Sequence, residues 1–167
     1  MPGYKHYKLK PLESEPLQAY FSNRIQLADI IDAILQQIGP CNIIVSTFST
    51  SEEFLRRIYR LKNKSRILKC SLFCDLKACR KTINLFKFID SVFDAVYLCE
   101  NHSKVILFEN KGHQISVVTS QNQTRGNRFE CGIVTSDLNI FNTLFEEFKK
   151  IKSIRLNEFI STPNHTN

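Results

Sequence analysis

The chain has 167 residues, 43% of them hydrophobic and 23% charged, which is enough apolar material for one packed domain and too little length for two. That composition argues against disorder, a collagen-like repeat or a disulfide miniprotein. The 23 Lys and Arg against 16 Asp and Glu leave a net charge of +7, which favours an anionic partner, either nucleic acid or a phospholipid surface.

No apolar run approaches the roughly 20 residues of a membrane-spanning helix. The segment Met1 to Lys8 lacks the apolar stretch of a secretory signal, so a cytoplasmic protein is expected. Cys41, Cys70, Cys74, Cys79, Cys99 and Cys131 lie mostly within apolar stretches, as small buried residues of a reducing compartment do. Cys70, Cys74 and Cys79 lack the paired Cys-x-x-Cys knuckles of structural zinc. Neither a metal nor a cofactor is expected.

Residues 1–21 hold three prolines and no clean period, and read as an N-terminal arm that either docks on the body or is mobile. A domain is expected over 22–157. From Ser22 a helical pattern carries Ile25, Ala28, Ile31, Leu35 and Ile38 on one side and stops at Gly39-Pro40. Cys41 to Phe48 reads as a buried strand, and Thr50 with Glu53 offers a capping box for a second helix reaching about Lys62. Arg66 to Phe73 is a strand, Leu76 to Val92 a helix with Cys79, Phe86 and Ile89 inward, and Asp94 to Cys99 a third strand.

The alternation then gives way to a meander: Ser103 to Phe108, Gln114 to Thr119 and Arg128 to Thr135. Ser136 or Asp137 caps a last helix with Phe141, Leu144, Phe145, Phe148 and Ile151 at helical spacing, and 158–167 is expected to be a flexible tail. The sum is an α/β domain, a mixed β-sheet flanked by helices on both faces. Arg56, Arg57, Arg60, Lys62, Lys64, Arg66 and Lys69 follow one another with no acidic residue among them. Such a run is either a phosphate-binding surface or a solvated helix face and turn. To a nucleic-acid contact we assign Arg56, Arg57, Arg60, Lys62 and Lys64, with Arg125 and Arg128.

The chemistry-bearing residues are His102-Ser103-Lys104, then Glu109, then Ser120-Gln121-Asn122, and Glu130. On a strand His102 and Lys104 project from one face, as do Ser120 and Asn122 if the next strand extends that far, and a hairpin brings the pairs together. An imidazole, an ammonium, a hydroxyl and a carboxamide meeting at one sheet edge can surround a phosphate. A dull account competes: a structural histidine, a lysine guarding a sheet edge, a turn asparagine, and Glu130 as a salt-bridge partner of Arg128 or Lys104. His113 and His165 read as turn and tail residues.

This pattern resembles the phospholipase D superfamily, whose signature is His-x-Lys with an acid five positions after the Lys and a Gly/Ser-x-Asn segment downstream. Here His102-Ser103-Lys104 with Glu109, then Ser120-Gln121-Asn122, supply it, in the manner of the small single-motif nucleases of that superfamily. Glu109 stands for the usual Asp, a position typically structural, and Thr119 stands where Gly is common. His6-Tyr7-Lys8 with Glu13 repeats the first half of the pattern, but Pro11 interrupts any strand there and no Ser-x-Asn follows within hairpin reach, so it reads as coincidence.

The resemblance implies a metal-independent phosphodiesterase, foremost a nuclease on DNA or RNA. One histidine attacks phosphorus and a second protonates the leaving oxygen, both roles suiting an imidazole. A phosphohistidine divides the displacement into two steps. Lys104 and Asn122, with Ser120, would hold the non-bridging oxygens, and Glu130 would fix a histidine tautomer. Because one motif supplies one histidine, a homodimer with the site at its interface is expected. The alternatives are a nucleic-acid-binding dimerisation module with little turnover and a phospholipid phosphodiesterase.

Overall fold

The computed structural model describes residues 8–77, 85–124 and 128–161. Eight strands form one mixed sheet: β1 (Leu17–Ser22), β2 (Cys41–Thr47), β3 (Ile67–Asp75), β4 (Ala95–Cys99), β5 (Val105–Glu109), β6 (Gln114–Thr119), β7 (Glu130–Thr135) and β8 (Ile154–Arg155), in the spatial order β1-β7-β6-β5-β2-β3-β4-β8. Strands β2, β3 and β4 are parallel, and every other pairing is antiparallel. Five helices are present among the described residues: α1 (Leu27–Ile38), α2 (Glu52–Asn63), α3 (Phe86–Val92), α4 (Leu138–Lys150) and α5 (Leu156–Ser161).

Alternation along the strands sends side chains to two layers. On one face Ile43, Val45, Cys70, Leu72, Ile106, Phe108 and Val117 pack against α1, α2 and α3. On the other, Phe73, Cys99, Val105 and Leu107 meet Phe141 and Phe148 of α4. Helix α1 is positioned by a capping box, in which the Gln26 N–H donates to Asp29 (3.2 Å), and is ended by Gly39, whose positive φ of 76° suits glycine. Its Ile30, Ile31 and Ile34 are fully buried, each contributing about 1.5–3 kcal/mol of transfer free energy. Helix α2 is capped by Ser51, whose hydroxyl accepts from the Phe54 N–H (3.3 Å), and not by Thr50, which is engaged in a β-bridge with Gln123.

The expected arm ends differently from its reading. Leu17–Ser22 is an edge strand antiparallel to β7, and ahead of it Leu9 and Leu12 are buried in the core. Gln18 donates to the Lys10 and Glu15 carbonyls (both 2.9 Å), and the Leu12 N–H donates to Gln37 (2.8 Å), so residues 9–22 are fastened to the body. Likewise the expected tail begins inside α5, where Leu156 is buried and Phe159 packs on the core. The first helix starts at Leu27 and not at Ser22, because Ser22 belongs to β1. The expected helix over Leu76 to Val92 is seen as α3 from Phe86 onward; its part over 78–84, with Cys79, lies outside the described residues, as do His6, Tyr7, Arg125 and His165.

Candidate active site

Parallel strands leave their carboxyl ends as a crevice, and the signature residues collect there. Strands β2, β3 and β4 finish at Thr47, Asp75 and Cys99, and the loop from β4 into β5 carries Asn101, His102, Ser103 and Lys104. His102 and Lys104 therefore lie on a loop before β5 and not on the expected strand. Lys104 still meets the end of β6, accepting through its carbonyl from the Thr119 N–H (3.0 Å).

A buried polar clamp shapes this loop. The Asn101 carboxamide donates to Ser46 Oγ (2.8 Å), to the Thr47 carbonyl (3.3 Å) and to the Phe73 carbonyl (3.3 Å), tying β2 to β3. Its oxygen accepts from the Ser103 N–H (2.9 Å) and hydroxyl (2.7 Å), while its own N–H donates to Asp75 (3.0 Å). Ser103 and Ser46 join hydroxyl to hydroxyl. With Asn101 and Ser103 facing inward, His102 between them is turned outward, exposed and packed against the Phe48 ring at 5.1 Å between centroids. A cleft of about 710 Å³ opens beside His102, lined by Phe48, Asp75, Lys77, Glu100 and Phe159 among others.

Lys104 folds back on His102. Its ammonium donates to the His102 carbonyl (2.7 Å) and sits 3.1 Å from Nδ1. Only 9% of Lys104 is exposed, and burial pushes its ammonium below its ordinary pKa, while the nearby Glu130 carboxylate opposes that shift.

Across the hairpin, Ser120 follows β6 and Glu130 opens β7. The Ser120 hydroxyl donates to the Glu130 carboxylate and accepts from the Cys131 N–H (3.0 Å). Behind them Thr119 bonds to the Tyr20 hydroxyl and donates to the Cys131 carbonyl (2.9 Å). The Tyr20 ring lies over Gly132, where a Cβ would come within 2.7 Å of it, so the strand needs glycine at that spot.

The structure thus brings His102 to Lys104 and Ser120 to Glu130, and Lys104 within electrostatic reach of Glu130. The Glu130 carboxylate accepts from Ser120. Asn122 is not tied to the others. Past Ser120 the chain leaves the sheet and runs beside Ser49 to Ser51, where the Gln123 N–H donates to the Ser49 carbonyl (3.3 Å) and Ser51 donates to the Gln123 carbonyl (2.8 Å). Asn122 there lines a small recess with the first turns of α1 and α2 and with Arg57, and its carboxamide oxygen is buried without a partner. Glu109 ends β5 at the opposite edge of the sheet, exposed and beside the Asn110 to His113 turn.

The expected basic surface is largely neutralised. Arg56 pairs with Glu52 (2.5 Å), Arg57 with Asp29 (2.7 Å), Lys62 with Asp94 (3.0 Å) and Arg66 with Asp32 (2.6 Å). Arg60, Lys64 and Arg128 are exposed. Lys62 and Lys64 end α2 near the start of β3, away from the His102 loop, so the run is not one free cationic face at the site. Among the described residues no three His, Cys, Asp or Glu side chains gather as metal ligands, and no helix is long and apolar enough to cross a membrane.

Searches by sequence alone match no protein-family model and no curated protein. Comparison with solved structures does. NucT from Helicobacter pylori superposes with a TM-score of 0.63 at 14% identity, covering 84% of this chain and 99% of that one. The chain shares the phospholipase D-like fold of NucT. Two other solved structures share that fold over parts of their length. Polyphosphate kinase from Porphyromonas gingivalis gives a TM-score of 0.57 at 13% identity, over 83% of this chain and 23% of that one. Phosphatidylserine synthase from Haemophilus influenzae gives 0.58 at 13% identity, over 83% of this chain and 40% of that one. At these identities the phospholipase D likeness speaks for the fold, and the chemistry rests on the residues above.

Proposed function

We propose that the chain is a phosphodiesterase of the phospholipase D type, foremost a nuclease on DNA or RNA, working through a phosphohistidine on His102. The observation that carries this reading is the exposed imidazole of His102 held against the Lys104 ammonium on a loop that Asn101 clamps from below. In the first step His102 forms a P–N bond as the P–O bond to the leaving group breaks, and a second imidazole gives its proton to the departing oxygen. In the second step that imidazole takes a proton from water, whose oxygen attacks phosphorus and displaces His102.

Lys104 neutralises charge that grows on the phosphoryl oxygens, with the Asn122 amide as a further donor. No metal ion has a part in this scheme, since imidazole is nucleophile and acid and the ammonium is the electrostatic partner. The chain supplies one such histidine, and its Glu130 is engaged with Ser120 rather than with its own His102. Both points favour a twofold dimer in which a second copy completes the site.

The test is cleavage of labelled single- and double-stranded DNA and RNA in EDTA, by the wild-type chain and by His102→Ala, with the mass in solution measured alongside. Cleavage by the dimer and loss in the variant support the reading. Equal cleavage by His102→Ala sinks it. Salt-sensitive binding with no product from either chain indicates the non-catalytic module instead.

A further inference from the structure

Beyond the phosphate-handling residues, the sheet edge carries two aromatic rings that the core does not use. Phe21 at the end of β1 is 73% exposed and Phe129, just before β7, is 63% exposed, and the two stack on each other with centroids 5.2 Å apart and planes 25° from parallel. Strand β1 alternates so that Gln18 and Tyr20 face inward while Leu17, Ala19 and Phe21 face out, and the helix on that side covers Val105, Leu107 and Phe73 but not this edge. Large exposed apolar groups in contact mark places where something binds.

We infer that the stacked Phe21–Phe129 pair is a base-stacking platform, which seats an unpaired nucleobase of the substrate strand at the sheet edge flanking the site. The inference rests on the nuclease reading and names its substrate more closely: strands with unpaired bases. Three observations choose this occupant.

Position is the first. Phe129 precedes Glu130, and the register sets Phe21 opposite Cys131 and Ser22 opposite Glu130, so the rings stand at the same strand ends as the carboxylate that bonds Ser120, on the other face of the sheet from it. Charge is the second. Exposed Arg24 and Arg128 lie three residues after Phe21 and one before Phe129, and neither has an ion-pair partner among the described residues, which suits a polyanion carrying aromatic bases. The third excludes self-association: a second copy docking the same patch on itself would bring these arginines toward their own symmetry mates, a like-charge contact.

The chain has no tryptophan, so Phe129→Trp places a single fluorescent reporter in the platform. We would make it in a His102→Ala background and titrate it with an oligothymidylate, with an abasic strand of equal phosphate count, and with a blunt duplex. Stacking predicts quenching by the oligothymidylate, and binding weaker by about tenfold or more for the abasic strand. Phe21→Leu, which keeps an apolar side chain but not a flat ring, should weaken the base-bearing strand and leave the abasic one unchanged.

Equal binding of the abasic and base-bearing strands overturns the platform. The nuclease reading fails separately. Phe129→Trp with His102 intact that binds with quenching yet cuts nothing refutes catalysis and keeps the platform, whereas cutting with no preference for bases refutes only the platform.

Discussion

The two loops that meet at the site are built in opposite ways. Between β4 and β5, every hydrogen-bonding group of the Asn101 carboxamide is satisfied by Ser46, Thr47, Phe73 and Ser103, and the exposed His102 is a consequence of that saturation. Between β6 and β7, Gln121 Oε1, Asn122 Oδ1 and both amide atoms of Gln123 are buried without partners. Buried polar groups are ordinarily paired, so this cluster of three acceptors and one donor is the less saturated of the two loops. One loop holds the proposed nucleophile in a saturated hydrogen-bond clamp; the other is not saturated. A fully bonded amide contributes to stability, and an unbonded one to binding.

Substitutions can break that contrast. The largest effect is expected from His102→Ala, which should lower the cleavage rate by about 10⁴-fold or more with little change in thermal stability, because the ring is exposed and removing a nucleophile leaves only binding and electrostatics. Next is Asn122→Ala, expected to cost about 10²- to 10³-fold in kcat and nothing in stability, since its oxygen has no partner to lose. A fall in melting temperature with unchanged kcat would assign Asn122 to the fold instead.

Asn101→Ala should do both kinds of damage. It strips two carbonyls and two serine hydroxyls of a partner in a buried place, for about 2–4 kcal/mol of stability measured by denaturant unfolding. It should also lower kcat by releasing the His102 loop.

Smaller effects follow pH. Burial holds the Lys104 ammonium below its ordinary value of 10.5, so activity that needs the charged form is lost as pH rises toward, but short of, that value. Glu130 pulls the other way, and Glu130→Gln should move this alkaline limb to lower pH in a rate profile. The sign for folding is the reverse: the unfolded chain holds this proton more tightly, so Lys104 adds stability as pH climbs from its folded value to 10.5.

The smallest is Asp94. Burial alone would raise its carboxyl, but the Cys70 N–H (2.7 Å) and Lys62 outweigh that and hold it below 3.8. The stability it lends is complete above 3.8 and lost as pH falls through its folded value, and Asp94→Asn should flatten that acid limb in urea titrations.

The same contrast explains what could be read from residues alone. The strands of the parallel core and the meander are apolar and regularly spaced, and they stand within a few residues of their expected places. Strand β1 escaped because its pattern is inverted: apolar Leu17 and Phe21 face out while Gln18 and Tyr20 face in, behind Pro16. Strand β8 has two residues, too few for any period.

In the site, His102, Lys104, Ser120 and Glu130 were legible as a spaced motif. Asn101 was not, since the acceptors of its carboxamide, Phe73, Thr47 and Ser46, stand 28 to 55 residues away, although short polar side chains at the ends of three successive apolar strands (Ser46, Asp75, Asn101) are a signal in retrospect. The basic run misled for the same reason. Asp29, Asp32 and Asp94, which neutralise it, are remote in sequence.

The most direct measurement is adduct mapping. The chain would be mixed with an oligonucleotide carrying a radioactive phosphate at the cut site, quenched in alkali to preserve P–N bonds, digested, and the labelled peptide sequenced. The account predicts label on the peptide containing His102 and none in His102→Ala; steady cleavage by the wild-type chain with label absent, or on any other residue, would contradict it.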